Sequence, residues 1–150
     1  MKVVIQRVSN ASVQVDENIV GSIQKGFLIL LGVSDLDTEQ DIEYLVQKIS
    51  GLRVFQDTEG KMNLNINDID GEILVISQFT LFANTRKGNR PSFIEAGKPE
   101  KAKDYYEKFC VSLSQKIGKT AEKGIFGADM KVSLLNDGPV TILIDSHQKG

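Results

Sequence analysis

The sequence predicts an α/β protein: a mixed β-sheet crossed by two helices, with a second β layer behind it, a three-layer α/β/β arrangement. Three observations predict it. Two stretches carry apolar residues at helical spacing, and β-rich pieces lie before, between and after them. The run Phe27-Leu28-Ile29-Leu30-Leu31 is apolar without alternation, as a strand covered on both faces requires. Hairpin-like segments stand at either end of the chain, so parallel crossovers and antiparallel pairs must share one sheet.

The opening, with Val3, Ile5, Val8, Ser12, Val13 and Val15, is β-rich, and its phase slips around Ser9-Asn10, which predicts a bulge or a break. Asp16-Glu17-Asn18 reads as a turn and Ile19 to Lys25 as the return arm of a hairpin. Thr38 opens the first helix, with Asp41 giving a weak capping box; Ile42, Leu45, Val46 and Ile49 form its buried stripe and Gly51 ends it. Arg53-Val54-Phe55 suits a short strand and Asp57 to Lys61 a turn. Glu72 to Phe82 reads as a strong strand. Residues 84–97 are polar and hold two glycines and a proline, a loop of the functional kind. Pro99 suits the first turn of a second helix, with Ala102, Tyr105, Tyr106, Phe109, Leu113 and Ile117 inward and Gly118 at its end. Three β-like pieces follow, around 124–126, 130–135 and 140–144.

Composition narrows the function. The 150 residues carry 18 Lys and Arg against 20 Asp and Glu, a net charge of −2. Non-specific coating of nucleic acid draws on a large cationic excess that is missing here, although a local basic patch remains open. Neither repeat nor linker interrupts the chain, so residues 1–150 read as a single domain. A lone cysteine, Cys110, forms no internal disulfide and reads as core filler. The opening lacks the apolar core of a signal peptide, and no apolar run approaches the roughly 20 residues that span a bilayer, so a cytoplasmic protein without membrane attachment is expected.

The usual catalytic devices are missing. The one histidine, His147, lies three residues from the C-terminus, where fraying makes a poor base. No Ser-His-Asp set can form, and no metal site is expected. Gly118-Lys119-Thr120 lacks the preceding strand and glycine of a phosphate-binding loop.

Three segments carry more. Ser77-Gln78-Phe79-Thr80 places polar atoms where a buried strand emerges, with Ser77 and Phe79 on one face and Gln78 and Thr80 on the other; an ordinary strand end is the simpler reading of the spacing alone. Asn136-Asp137-Gly138-Pro139 reads as a hairpin turn between Leu135 and Val140, though Gly-Pro is one of the few linkages that can be cis. Arg86-Lys87-Gly88-Asn89-Arg90, with Lys98, Lys101 and Lys103 downstream, suits phosphate contact or a solvated loop equally.

Together these segments resemble the D-aminoacyl-tRNA deacylases, the D-tyrosyl-tRNA deacylase family. Val4-Ile5-Gln6-Arg7-Val8 with Ala11-Ser12-Val13 is similar to the family's start. Ser77-Gln78-Phe79-Thr80-Leu81 resembles one signature and Asn136-Asp137-Gly138-Pro139-Val140-Thr141 the other, with 87–93 and 126–130 matching between them. The likeness runs from Met1 to about Asp145. Glu122-Lys123 before Gly124 departs from the family's Thr-Gly, and His147 to Gly150 reads as an extension.

The resemblance implies a deacylase-like fold and a hydrolase that frees tRNA from D-amino acids, and from glycine mischarged on tRNA for alanine. It implies a homodimer in which the Ser77–Thr80 motif of one subunit meets a cis Gly138-Pro139 segment of the other, held by Arg7 and supported by Met130 and Asn136. Backbone N–H groups of Phe79 and its neighbours would stabilise the oxyanion, with the 2′-hydroxyl of the terminal adenosine assisting attack. Thr80 would position substrate, because an unactivated threonine hydroxyl is a weak nucleophile. A carbonyl of the Gly-Pro segment would exclude L-residues sterically. Arg86, Lys87 and Arg90 would hold the 3′ end of the D-aminoacyl-tRNA. No cofactor, metal, DNA or membrane partner is implied. The alternative left by composition is an RNA-binding module without turnover.

Overall fold

The computed structural model describes residues 1–149. Strands β1 (Lys2–Val15), β2 (Asn18–Ile23), β3 (Gly26–Gly32), β6 (Glu72–Ser77), β7 (Glu122–Lys123) and β8 (Lys131–Asp145) form one mixed sheet; β4 (Phe55–Gln56) and β5 (Met62–Leu64) make a separate small ladder. Helices α1 (Glu39–Gly51) and α2 (Pro99–Ile117) cover one face. The sheet runs β2-β1-β3-β6-β7, with β8 on the other side of β1. The β3–β6 and β6–β7 pairs are parallel, and the rest of the large sheet is antiparallel.

Period two divides the strands between two cores. Phe27, Ile29 and Leu31 of β3 and Ile73 and Val75 of β6 face the helices, where they meet Leu45, Ile49, Phe109 and Leu113. Leu28, Leu74 and Ile76 face the opposite way, against Val8, Ala11, Val13 and Ile23. The β2 hairpin folds over that second face: a Cβ at Gly21 would come within 2.8 Å of the Lys123 carbonyl. Odd-numbered residues of β1 change core, Val3 and Ile5 joining the first and Ala11 and Val13 the second, and pairing with β8 shifts between Gln6 and Asn10. This is the expected bulge, and it lets one 14-residue strand serve both cores.

The hairpin turn lies at Asp16 and Glu17, both with positive φ (48° and 67°). Thr38 caps α1: its N–H donates to the Asp41 carboxylate at 2.7 Å, the return bond of a capping box. Gly118 ends α2 in the left-handed conformation, φ 70°, which glycine adopts without steric cost.

Four expectations need correction. The strand expected over 72–82 stops at Ser77, and Phe79–Phe82 wind into a 3₁₀ turn whose Leu81 N–H bonds the Gln78 carbonyl at 3.2 Å. The alternating faces expected for Ser77 to Thr80 therefore do not exist. The β-like piece expected at 124–126 is Glu122–Lys123, which pair with Leu74 and Val75 of β6, and the last bond to β6 is from the Gly124 N–H to the Val75 carbonyl at 3.3 Å. The hairpin expected between Leu135 and Val140 is absent: both halves pair with β1, so β8 is one strand with an irregularity at Asn136–Pro139. Finally, His147 is not frayed. Its Nε2 lies 2.7 Å from buried Asp37, which also takes the α-ammonium of Met1. Gly150, the end of the expected extension, lies outside the described residues.

Candidate active site

Three segments close around a cavity of about 700 Å³. Ser77, Gln78 and Phe79 come from the end of β6, Phe93 to Pro99 from the loop before α2, and Phe126 to Met130 from the loop before β8. Leu31, Ile76, Tyr106 and Val132 make an apolar floor. The β3–β6 register explains the position: Leu31 pairs with Ser77 at the carboxyl ends of two parallel strands, where open α/β sheets place their sites.

The turn after β6 sets the local geometry. Gln78 N–H donates to the Leu31 carbonyl at 2.8 Å and anchors the bend. The N–H groups of Phe79 and Thr80 then open the 3₁₀ turn, where an i→i+3 ladder supplies no acceptor. Gln78 Nε2 lies 2.5 Å from Thr80 Oγ1, so the threonine hydroxyl is held by an amide and not by a base. The Phe79 ring, 58% exposed, meets Phe93 edge to face with centroids 5.1 Å apart. The two rings join the signature turn to the loop carrying the cations.

No histidine lines the cavity, whose titratable side chains are buried Tyr106 and exposed Lys98 and Asp129. The Tyr106 hydroxyl donates to the Val75 carbonyl at 2.9 Å, and burial pushes its phenol far above the usual range. Cys110 behind it is buried, and its thiol is pushed up to about 12 by that burial, so core filler describes it. Asp129 is solvated and paired with Lys131 at 3.1 Å. Among the described residues, the only cluster with metal-ligand geometry is Asp37, Asp41 and His147, at the start of α1, and its carboxylates already hold the N-terminal ammonium and the Thr38 N–H.

The expected site residues fall into three groups. Ser77, Gln78, Phe79 and Met130 line the cavity, with Thr80 next to them in the turn. Arg86, Lys87 and Arg90 are exposed in a loop tied at its base by the Asn84–Ser92 bridge, one residue before Phe93. Gly138, Pro139, Arg7 and Asn136 lie elsewhere. Arg7 pairs with Phe27 and Val3 with Leu31, so the Gly-Pro segment stands about 13 Å farther along the sheet, four residues at 3.3 Å each.

That second locus is well built. The Gly138-Pro139 bond is cis and Gly138 has φ 125°. Arg7, 7% exposed, donates from Nε to the Asp137 carbonyl at 2.9 Å and from Nη1 to the Val54 carbonyl at 2.7 Å. A Cβ at Gly138 would stand 2.8 Å from Arg7 Nη2, so the guanidinium packs under the glycine itself.

Sequence reasoning missed most of the far wall: Tyr106 and Phe126, whose rings lie 6.0 Å apart, and Ala96, Gly97 and Ala128. Tyr106 reads as an ordinary inward residue of α2 and the others as small residues beside an aromatic in two loops, which does not point to a cavity until helix and loops are folded together.

The D-Tyr-tRNA(Tyr) deacylase family model matches residues 4–145. Curated relatives named D-aminoacyl-tRNA deacylase occur in Porphyromonas gingivalis and Flavobacterium psychrophilum, each 60% identical over 149 residues and covering 99% of both chains. A solved structure of the c-Myc DNA Unwinding Element Binding Protein is 42% identical, with TM-score 0.91 over 97% of this chain and 98% of that one. A solved structure described as a probable eukaryotic D-amino acid tRNA deacylase shares the fold at TM-score 0.82 and 16% identity, over 95% of this chain and 97% of that one.

Proposed function

The chain belongs to the D-Tyr-tRNA(Tyr) deacylase family and is a hydrolase of D-aminoacyl-tRNA, and from that premise we propose how it selects and cuts its substrate. The enzyme cleaves the ester between a D-amino acid and the 3′ end of tRNA, releases both, and also accepts glycine mischarged on tRNA for alanine. It works in the cytoplasm as a homodimer.

The observation that carries this reading is the turn after β6. It presents the Phe79 and Thr80 N–H groups beside an apolar cavity whose lining holds no histidine. Oriented amides stabilise charge on a carbonyl oxygen, and one such donor is worth about 10²–10³ in rate. The terminal adenosine sits on the apolar floor and its 2′-hydroxyl assists the attack of water. The loop with Arg86, Lys87 and Arg90 receives the phosphates. Thr80 orders the turn through Gln78 and carries no covalent intermediate.

The Gly138-Pro139 segment supplies the chiral filter, and it does so in trans. Its distance along the sheet from Ser77 within one chain supports this, as do the exposed Leu135 and Leu143 on β8. A rigid carbonyl there tolerates the Cα hydrogen of a D-residue and clashes with an L side chain. Discrimination by clash needs no side-chain recognition, so tolerance among D-residues is broad.

Incubation of the protein with matched D- and L-tyrosyl-tRNA tests the reading. Release of D-tyrosine with L-tyrosyl-tRNA left intact is expected. Hydrolysis of both would replace it with a general esterase. Protection of both would replace it with a nucleic-acid binder without turnover, a reading for which the DNA-binding name of the 42% identical relative is the one specific support.

A further inference from the structure

Two charged side chains line the cavity, Asp129 and Lys98. Asp129 is answered by Lys131 at 3.1 Å. Lys98 is exposed, and among the described residues its ammonium makes no ion pair. Its neighbour Lys101, by contrast, is spent on structure, donating to the Asp35 and Asp37 carbonyls at 2.6 and 2.7 Å.

Local rules argue against lysine at this position. Lys98 is the residue that caps the N-terminus of α2, and it makes no side-chain capping bond. Ser, Thr, Asp or Asn would satisfy the free N–H groups there, and a cation at the positive end of a helix is unfavourable. Its backbone is nevertheless fixed, because the Lys98 N–H donates to Asp35 Oδ1 at 3.0 Å and Pro99 follows at the first helical position. A residue that breaks local preference on a well-fixed backbone beside a cavity marks function.

We propose that Lys98 binds the phosphate group 5′ to the terminal adenosine, so that the cavity reads a nucleotide and not a nucleoside. The inference rests on the proposed seating of that adenosine in the cavity. The ammonium supplies the one unmatched charge of the lining, opposite in sign to the phosphodiester, and stands on the α2 side while Arg86, Lys87 and Arg90 stand beyond Phe93. Lys98 is therefore a positioning residue: it fixes how far the sugar enters, and with it the distance between the ester and the Phe79 N–H.

The probes are adenosine and adenosine 5′-monophosphate, which differ by that phosphate, with binding measured by calorimetry at low and high salt. The wild-type protein is expected to bind the monophosphate about tenfold more tightly than adenosine, with the preference shrinking as salt rises. Lys98→Gln is expected to abolish the preference and leave adenosine binding unchanged, and Lys98→Arg to keep most of it. With D-tyrosyl-tRNA, Lys98→Gln should raise KM about tenfold and Lys98→Arg should restore it. Equal wild-type affinity for both probes would overturn the role of Lys98 while leaving the adenosine seat standing. Binding of neither would remove the seat and this inference with it. Persistence of the preference in Lys98→Gln would assign the phosphate to the basic loop instead. If Lys98→Gln fails to fold, the exposed-loop variant Arg86→Gln/Lys87→Gln/Arg90→Gln decides: a retained preference keeps the phosphate at Lys98, and a lost one assigns it to the basic loop.

Discussion

Arg7 shows how much one side chain can fix. Its guanidinium spans two carbonyls that the sheet leaves unpaired, Val54 on one side and Asp137 on the other, and it sits under Gly138. Lysine keeps the charge but cannot donate in two fixed directions from a planar group. Arg7→Lys is expected to lower the unfolding free energy by about 1.5–3 kcal/mol, the worth of one charged hydrogen bond to a buried acceptor, in urea denaturation. A stability unchanged within 0.5 kcal/mol, in the range of ordinary surface substitutions, would show that water replaces the lost bond. Thr80 makes the opposite case. Its hydroxyl meets only the Gln78 amide, so Thr80→Ala should keep activity within about tenfold of wild type, the scale of one lost neutral hydrogen bond. A substrate ending in 2′-deoxyadenosine should lose about 10²-fold or more, the range of an acid–base participant. Single-turnover rates for the two decide between a protein nucleophile and the substrate's own hydroxyl.

Elements were legible where local and tertiary demands agree. Ile42, Leu45, Val46 and Ile49 share a helical stripe because the sheet needs one there, and Thr38 and Gly118 close helices as their chemistry dictates. The Phe27–Leu31 run was legible because both its faces are covered. Elements failed where a distant partner decides. Asn136-Asp137-Gly138-Pro139 has turn chemistry, but β1 offers a ladder on both sides of it, and long-range pairing overrides the local preference. The strand expected through Phe82 stops because the chain turns over Gly32 at the end of β3, where a Cβ would stand 3.0 Å from the Phe82 ring and 3.2 Å from the Gln78 carbonyl. These two misread segments are the ones that resemble family signatures, as expected if function distorts regular structure at those points. The start of α1 carries a prediction of its own. Burial raises the Asp41 carboxyl, but hydrogen bonds from Ser146 and the Thr38 N–H, with the charges of the N-terminus and His147, outweigh it and hold the group below its ordinary value. A carboxyl depressed in the folded state stabilises above its unfolded pKa of about 4, and that contribution disappears as pH falls through the folded value. Acid titration of unfolding should show this loss below about pH 4. Asp41→Asn should be less stable at neutral pH, with a flatter acid limb; parallel curves for the two proteins would remove Asp41 from the acid response.

At the scale of the whole molecule, one chain holds the two signatures on different parts of the sheet, and a second copy is the simplest way to bring them together. A two-fold interface repeats each contact, so two shared sites would form, each taking its Ser77–Thr80 turn from one subunit and its Gly-Pro segment from the other. Such a site can be tested by mixing two inactive proteins. Gly138→Ala drives a Cβ to 2.8 Å from the Arg7 guanidinium and deforms only the second locus. Phe79→Pro removes one of the backbone N–H groups assigned to the oxyanion and disables only the first. When the two are unfolded and refolded together, half of the dimers pair unlike subunits. Each such dimer has one site with both lesions and one with neither, so activity on D-tyrosyl-tRNA should return to about a quarter of wild type, the outcome for random two-fold pairing. If both motifs served the same chain, every site would keep a lesion and the mixture would stay as inactive as its parts. Sedimentation of the mixture supplies the control, since recovery must rise with the dimer fraction. Full activity of the wild-type protein in a monomeric preparation would instead place the Gly-Pro segment at the cavity of its own chain.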